Sequence, residues 1–487
     1  MKIEKAAIEL PREPSDGAAL LNAIRAPTDV LGVTADGILT IAGQKATALL
    51  EEFGSPLAVT VEPTLRANYR RIKQAFTERW PSTVNVMYSL KCNNTLAVRS
   101  VLSDEGAGGD CFGLGELYAT LQGGADPRLV AMNGSNKSFA EVETAVSLGI
   151  VVNVDSEDEI GFLSKAVRQT GKQARVNLRL KVLPSDLDTY ITEAYRTAES
   201  FVAGVKRVKW GFEPAAAAKL VQVLRALEGV TLIGYSGHIG HLSNQPGAFA
   251  SLARALGQAA TVLEAETGFG PAVLDIGGGW AQHREPPSRD AGVNPYSIED
   301  YAQSATDALR EGLRSNENLP ELWIEPGRYI AANAELLLAS VGSIKRDAGY
   351  VWLHVDASTN NLPRIESGRQ WHYVLPASRM AAPLAEAVEI VGSTCFKSVL
   401  GTGRSMPSMR RGDAIAILDT GAYAEVFANQ FNGLPRPAGV LVSESGVELI
   451  KRRETIDDIF ATHLVPQRLT QLAPAHPSAA GILRKSD

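Results

Sequence analysis

The residues with types suited to chemistry stand at the ends of apolar runs. Val84 to Asn94 reads VNVMYSLKCNN, a β-branched, near-alternating stretch that predicts a buried strand running into Lys91. A lysine at a strand's carboxyl end in a parallel α/β protein, partly desolvated, can lose its proton and attack a carbonyl. The same residue there can equally be a structural lysine that snorkels to solvent. Gly277, Gly278 and Gly279 follow the run AVLDI. Three successive residues without Cβ can converge their N–H groups on a phosphate, or can simply form a flexible loop. Glu325-Pro326-Gly327-Arg328 follows LWI and sets a carboxylate and a guanidinium three residues apart. Arg328 suits a phosphate bidentately and Glu325 a protonated ring nitrogen; the plain alternative is a loop ion pair.

His238 and His241 lie in SGHIGHLS after the run LIGY. Glycines surround them and no third ligand follows at metal-binding spacing, so no metal is expected and a flat histidine ring stacking on a planar ligand is the better reading. Asp110, in GGDCFGLGEL, can orient a neighbouring ring or amine, or cap a helix. Together these groups call for a flat, phosphorylated, carbonyl-bearing molecule with a basic ring nitrogen. Pyridoxal phosphate meets each requirement, with Lys91 as its covalent anchor and Glu325 keeping the ring nitrogen charged.

The elements needed to position these residues are legible in the alternation of patterns. From Pro63 to Tyr329, helical segments such as TLRANYRRIKQAFTERW alternate with short apolar runs. Strands separated by helices of this length pair in parallel through right-handed crossovers, and about eight such units close a (β/α)8 barrel. An open doubly wound sheet would need a glycine fingerprint in its first βα turn, and none is present. Beyond Glu335 the expected strands are 341–345, 350–355, 388–392, 414–418 and 439–442, joined by Pro, Gly and Asp turns: a mostly β domain. The expected division is an N-terminal extension over 1–36, a barrel over 63–335, a β domain from 37–62 and 336–460, and a tail over 461–487. The irregular stretch 181–208 is long enough to suggest a functional loop.

The 487 residues carry a formal net charge of -6 with acids and bases interspersed, which argues against nucleic acid or an anionic membrane as partner. No apolar run is long enough to span a bilayer and the start lacks a signal-peptide core, so the expected location is cytoplasmic. Cys92, Cys111 and Cys395 show no paired spacing.

Eight ordered stretches, YSLKCNN, GDCFGLGEL, GHIG, LDIGGGW, EPGRYIA, GSTC, GDAIAILDTGAY and FNGLPRP, make the chain resemble the pyridoxal-phosphate decarboxylases of the diaminopimelate, ornithine and arginine group, an alanine-racemase-like barrel with a β domain. The resemblance spans roughly 37–460. It implies decarboxylation of an amino acid at Cα, with Lys91 as Schiff-base lysine, Asp110 beside it, His238 on the ring, Glu325 on the ring nitrogen, and Gly277 to Gly279, Arg328 and Tyr423 around the phosphate. Cys395 matches a cysteine that reaches the neighbouring subunit's site and returns a proton to Cα, so a homodimer with shared sites is implied. Three departures bear on the substrate. Phe396 stands where the group has an acidic residue facing a distal ammonium, and a further acidic position falls at or near Val399. His241 replaces a serine of the phosphate-binding turn. Arg364 aligns with an arginine that holds a distal carboxylate, while Ile365 and Gly368 replace its flanking proline and tyrosine. The expected substrate is therefore a diamino acid or an unusual derivative of one. The rival expectations are racemisation on the same fold and a non-catalytic regulator; an arginine at the ring nitrogen would favour racemisation, and Glu325 opposes it.

Overall fold

The computed structural model describes residues 14–190, 200–238, 240, 243–285, 292–313, 318–366 and 370–470. Eight parallel strands close a barrel: β1 (Val84–Ser89), β2 (Gly108–Phe112), β3 (Val130–Asn133), β4 (Val151–Val154), β5 (Ala174–Arg179), β6 (Val230–Ser236), β7 (Val273–Asp275) and β8 (Glu321–Ile324). They neighbour one another in sequence order, and β8 returns to β1 through the pair Trp323↔Asn85. Each strand is a short, nearly continuous apolar run because helices cover its outer face and side chains fill its inner one.

Local sequence sets the boundaries of the outer helices. Ser138 and Glu141 form a capping box at the start of Phe139–Leu148, and Gly149 ends that helix at φ 75°, a left-handed turn that glycine adopts without steric penalty. The 22-residue helix Pro246–Thr267 opens on a proline, where a missing N–H costs nothing, and stops at Gly268.

The inside of the barrel is built on the two-residue strand period. Met87, Ala131, Val151, Val273 and Trp323 form a separate apolar plug. Two residues further along the same strands, on the same face, stand Ser89, Asn133, Asn153, Asp275 and, just past β8, Glu325, all buried. Asp110, Asn177 and Ser236 add buried polar groups from β2, β5 and β6. Glycines make room for the plug: a Cβ on Gly108 would lie 2.5 Å from Met87 Sδ, and one on Gly234 1.9 Å from the Val273 carbonyl oxygen. The barrel is thus apolar at its base and polar at the carboxyl ends of its strands.

The second core belongs to a β sheet that gathers both ends of the chain. Leu57–Val61 lies between Glu335–Asp347, to which it runs antiparallel, and Ala438–Ser443, to which it runs parallel. The sheet also contains three strands not anticipated from the sequence, Val374–Leu375, Val399–Met406 and Gly446–Lys451. The second, VLGTGRSM, carries two glycines and an arginine where apolar alternation would be needed to signal a strand. Residues 14–36, expected as an extension, hold the helix Gly17–Ile24 and the strand Leu31–Val33, with Leu21 and Ile24 fully buried against the sheet core. Of the stretch 181–208, the described part contains the short helix Phe201–Lys206.

Two buried polar centres join barrel to sheet. Arg284 donates bidentately to Asp419 at 2.6 and 2.7 Å and also binds Asp29, all three side chains having almost no exposure. Glu335 accepts hydrogen bonds from Thr60 at 3.2 Å and Asn93 at 3.3 Å. Burial, aided by the Glu425 carboxylate, pushes the Glu335 carboxyl up to about 7. An acid whose folded-state pKa is raised is neutral in the fold. Its contribution to stability is therefore present below the unfolded value of about 4.3 and is lost as pH rises through about 7. Glu335→Gln, which stays neutral, is expected to show a shallower loss of stability between about pH 4.5 and pH 7, measured by denaturant unfolding across that range.

Candidate active site

The polar mouth of the barrel assembles most of the expected residues. Lys91, two residues past β1, extends its ammonium to Asp110 Oδ2 at 2.5 Å. Asp110, at the middle of β2 and fully buried, also accepts from Ser89 Oγ at 2.6 Å. Its other oxygen accepts from Asn133 Nδ2 at 2.7 Å, and the same amide donates to Glu325 Oε1 at 2.8 Å. Asn153 Nδ2 in turn donates to Asn133 Oδ1 at 2.8 Å, which fixes the orientation of the bridging amide. The Phe112 ring lies 5.0 Å from the Lys91 ammonium and closes one side.

The electrostatics follow from burial. Desolvation alone would lower Lys91, but Asp110 and Glu325 opposite it reverse the effect and hold it above its ordinary value. Asp110 is held below the usual carboxylate range; burial opposes this, and the Lys91 charge outweighs it. Glu325 is pushed up to about 7 by burial and then by Asp110, with Lys91 and Arg179 acting against the rise. Asp275 is raised further, by burial and by Glu325. The centre therefore holds one firmly ionised pair beside two carboxyls poised to keep a proton.

Glycine chemistry shapes the second wall. Gly277 and Gly279 have φ of 69° and 94°, and a Cβ on Gly278 would lie 1.8 Å from the Glu325 carbonyl oxygen. Glu325 N–H donates to the Gly277 carbonyl at 2.7 Å, and Gly278 N–H donates to His238 Nδ1 at 3.1 Å. A Cβ on Gly277 would strike that imidazole at 2.2 Å, so the histidine ring packs directly on the glycine backbone. His241 lies outside the described residues.

The third wall comes from the β sheet. Tyr423 has φ 61°, rare for a residue with a side chain, and its N–H donates to the Cys92 carbonyl at 2.8 Å. This clamp ties the sheet to the segment that carries Lys91. The Arg328 and Arg364 guanidinium groups lie 5.3 and 5.0 Å from the centre of the Tyr423 ring. Among the described residues, Cys395 and Phe396 make no hydrogen bond or ring contact with these groups. Both are exposed: Cys395 N–H donates to Asn432 Oδ1 at 3.0 Å, and the Phe396 ring meets Phe431 edge-on.

Sequence reasoning missed Ser89, Asn133, Asn153, Asn177 and Arg179. The signal available was a lone polar residue two positions after a core residue near a strand's end, as in VAMN and VVNV. Several buried polar atoms here have no hydrogen-bond partner: both side-chain atoms of Asn177 that can bond, Ser236 Oγ and Asp275 Oδ2. Buried polar groups at a barrel mouth without partners suit a polar ligand. With a lysine, a buried carboxyl and a glycine-rich turn beside them, the residues present fit pyridoxal phosphate.

A sequence profile for the pyridoxal-binding domain of pyridoxal-dependent decarboxylases matches residues 63–332. The chain belongs to this family. This decarboxylase is 31% identical over 438 residues to the diaminopimelate decarboxylase of Archaeoglobus fulgidus, covering 90% of this chain and 99% of that one. It is 31% identical over 435 residues to that of Methanothermobacter thermautotrophicus, covering 89% and 97%. The crystal structure of diaminopimelate decarboxylase from M. jannaschii superposes with a TM-score of 0.83 at 28% identity, covering 91% of this chain and 99% of that one. The decarboxylase is thus a pyridoxal-phosphate enzyme acting on an amino acid, built on a (β/α)8 barrel with a mostly β C-terminal region. No described helix is long and apolar enough to cross a membrane.

Asn133 bridges the two carboxyls of the site and has no charge of its own. Asn133→Ala is expected to weaken cofactor retention, read as faster loss of visible absorbance on dialysis. It should also cost about 1–3 kcal/mol of stability, because Asp110 and Glu325 each lose a buried donor.

Proposed function

We propose that this chain removes the α-carboxylate of a diamino acid related to diaminopimelate, ornithine or lysine, or of a derivative of one. The observation that carries this reading is the Lys91–Asp110–Asn133–Glu325 chain of hydrogen bonds at the barrel mouth. The relatives named above are diaminopimelate decarboxylases, and one similar structure is of the M. jannaschii enzyme in complex with L-lysine.

In this reading Lys91 anchors pyridoxal phosphate, His238 packs on its ring, and Gly277 to Gly279, His241, Arg328 and Tyr423 surround its phosphate. When bound, the cofactor withdraws electrons from Cα so that the carboxylate can leave. Glu325, its pKa raised towards neutrality by burial, holds a proton at the ring nitrogen. Asp110, facing Lys91 Nζ, would orient that nitrogen and would pair with it as an ammonium once a substrate amine has taken its place. Arg364 and Tyr423 bind the substrate's far end, and Phe396 lines it. Racemisation would be favoured by a cation at the ring nitrogen, whereas this reading puts the Glu325 carboxyl there.

The division of labour in this reading is a barrel over 63–335, a β domain from 37–62 and 336–460, an N-terminal segment over 1–36 and a tail over 461–487. Cys395 is exposed in its own chain. We therefore infer a homodimer in which Cys395 enters the partner's site and returns a proton to Cα, and a cytoplasmic location for it.

Two measurements test this. Carbon dioxide release should appear with pyridoxal phosphate and at least one of diaminopimelate, ornithine, lysine or an acylated derivative, and vanish in Lys91→Ala. Silence across that panel, with the cofactor's visible absorbance present, would remove the diamino-acid assignment. Separately inactive Lys91→Ala and Cys395→Ala chains, mixed and allowed to exchange subunits, should recover about a quarter of native activity, since half the dimers are mixed and each of those holds one intact site. No recovery despite exchange would place Cys395 outside the partner's site.

A further inference from the structure

A second cavity adjoins the candidate site, on the β-domain side. It has a volume of about 700 Å³ between the strand Val399–Met406 and residues 365, 366 and 370–372, with Trp371, His372, Phe396, Lys397, Thr402 and Arg404 in its walls. That volume falls in the range of clefts that hold small molecules, and it exceeds what the end of a free diamino acid fills.

Arg404 dominates its chemistry. The guanidinium lies 4.1 Å from the centre of the Trp371 ring, and one of its NH2 groups donates to the His372 carbonyl at 3.1 Å. Its Nε has no hydrogen-bond partner, and among the described residues no carboxylate lies within ion-pair distance of it. The nearby carboxylate of Glu389 on the adjacent strand is engaged, accepting the Gly403 N–H at 3.0 Å. Burial, only partly offset by Tyr373 and Glu389, brings the guanidinium down to about 10. A half-buried guanidinium without a counter-charge gains more from an incoming anion than a solvated one does. The strand is shaped for it: a Cβ on Gly401 would lie 2.9 Å from Arg404 Nε, so glycine leaves the space in which the side chain folds back. Lys397 adds a second cation at the same mouth, against the single exposed carboxylate of Glu366.

The cavity and the candidate site are linked through the chain. Ile365 and Glu366, which line the cavity, directly follow Arg364, whose guanidinium lies over Tyr423. Gln370, also in the lining, donates its Nε2 to the Ala422 carbonyl at 2.7 Å, one residue before Tyr423. An extended substrate reaching past Arg364 and Tyr423 would meet this cavity next.

We propose that this cavity is a second, carboxylate-binding subsite, in which Arg404 stacked on Trp371 receives the distal arm of a substrate longer than a free diamino acid. The planar fork of a guanidinium matches a carboxylate through two parallel N–H···O bonds, and the indole behind it holds the fork flat. The substrate class is then an acylated diamino acid whose acyl arm ends in a carboxylate. The subsite rests on the decarboxylase reading above, because it supplies the far end of that substrate.

Three probes separate the ideas in the holoenzyme: L-lysine, Nε-acetyl-L-lysine and Nε-succinyl-L-lysine, the last alone carrying a terminal carboxylate on its arm. The succinyl compound is expected to have a KM lower than the acetyl compound by about tenfold or more. Arg404→Gln should raise KM for the succinyl compound at least about tenfold more than for the acetyl compound, and Arg404→Lys should restore part of the difference. A substitution that only loosened the domain would affect both compounds alike, and that outcome overturns the subsite. Calorimetric binding of the same compounds gives a readout independent of turnover. An Arg404-dependent preference for the succinyl compound without decarboxylation of any probe would leave the subsite standing and remove the proposed reaction. Decarboxylation of lysine with no succinyl preference in either measurement would do the reverse.

Discussion

Everything at the mouth of the barrel depends on keeping a charged lysine in a place where charge is costly. Lys91 stays ionised there because Asp110, fully buried, faces it at 2.5 Å and is itself satisfied by Ser89 and Asn133. Removing a charge pair from water costs several kcal/mol per ion unless each remaining lone pair finds a donor. The inner face of the barrel supplies those donors through single polar residues placed one strand period beyond the apolar plug. The plug has the opposite role: Met87, Trp323 and their neighbours exclude water from below, so the polar groups above act in a low-dielectric setting.

The second requirement is that two separately built cores meet in register. The turn at Tyr423 does this with one backbone hydrogen bond to Cys92, at the expense of a left-handed φ. Arg284 supports it from behind, since Asp419, four residues before Tyr423, is one of its two carboxylate partners. The other partner, Asp29, belongs to the segment before the first sheet strands, so the start of the described chain helps brace the wall that carries Tyr423.

Much of this was legible in the sequence because the features involved are local. Lys91, Glu325 and the glycines end apolar runs, and strand ends are where a parallel barrel presents its chemistry. The barrel itself followed from helix and strand periods in alternation. What was not legible is non-local. Asn133 and Asn177 differ from neighbouring residues in no pattern; their importance appears only when strand register brings them against Asp110 or leaves them without partners. Arg284 is one arginine among many until the fold buries it between carboxylates 255 and 135 residues away in the chain. The strand Val399–Met406 was hidden by glycines and Arg404, and those are the residues that open the second cavity beside it.

The placement of Leu57–Val61 has a consequence for how the polypeptide is made. This strand is synthesised before the barrel, yet its two partners, Glu335–Asp347 and Ala438–Ser443, follow it by roughly the length of a whole domain. On the ribosome, the apolar stretch LAVTV emerges with neither edge covered and stays so while all eight barrel strands are translated. The barrel can close as a unit in that interval, but the sheet cannot, because Leu57–Val61 waits for Ala438–Ser443. A chain that stopped before Ala438 would lack the parallel partner of Leu57–Val61 and leave that edge of the sheet open to pairing with another chain.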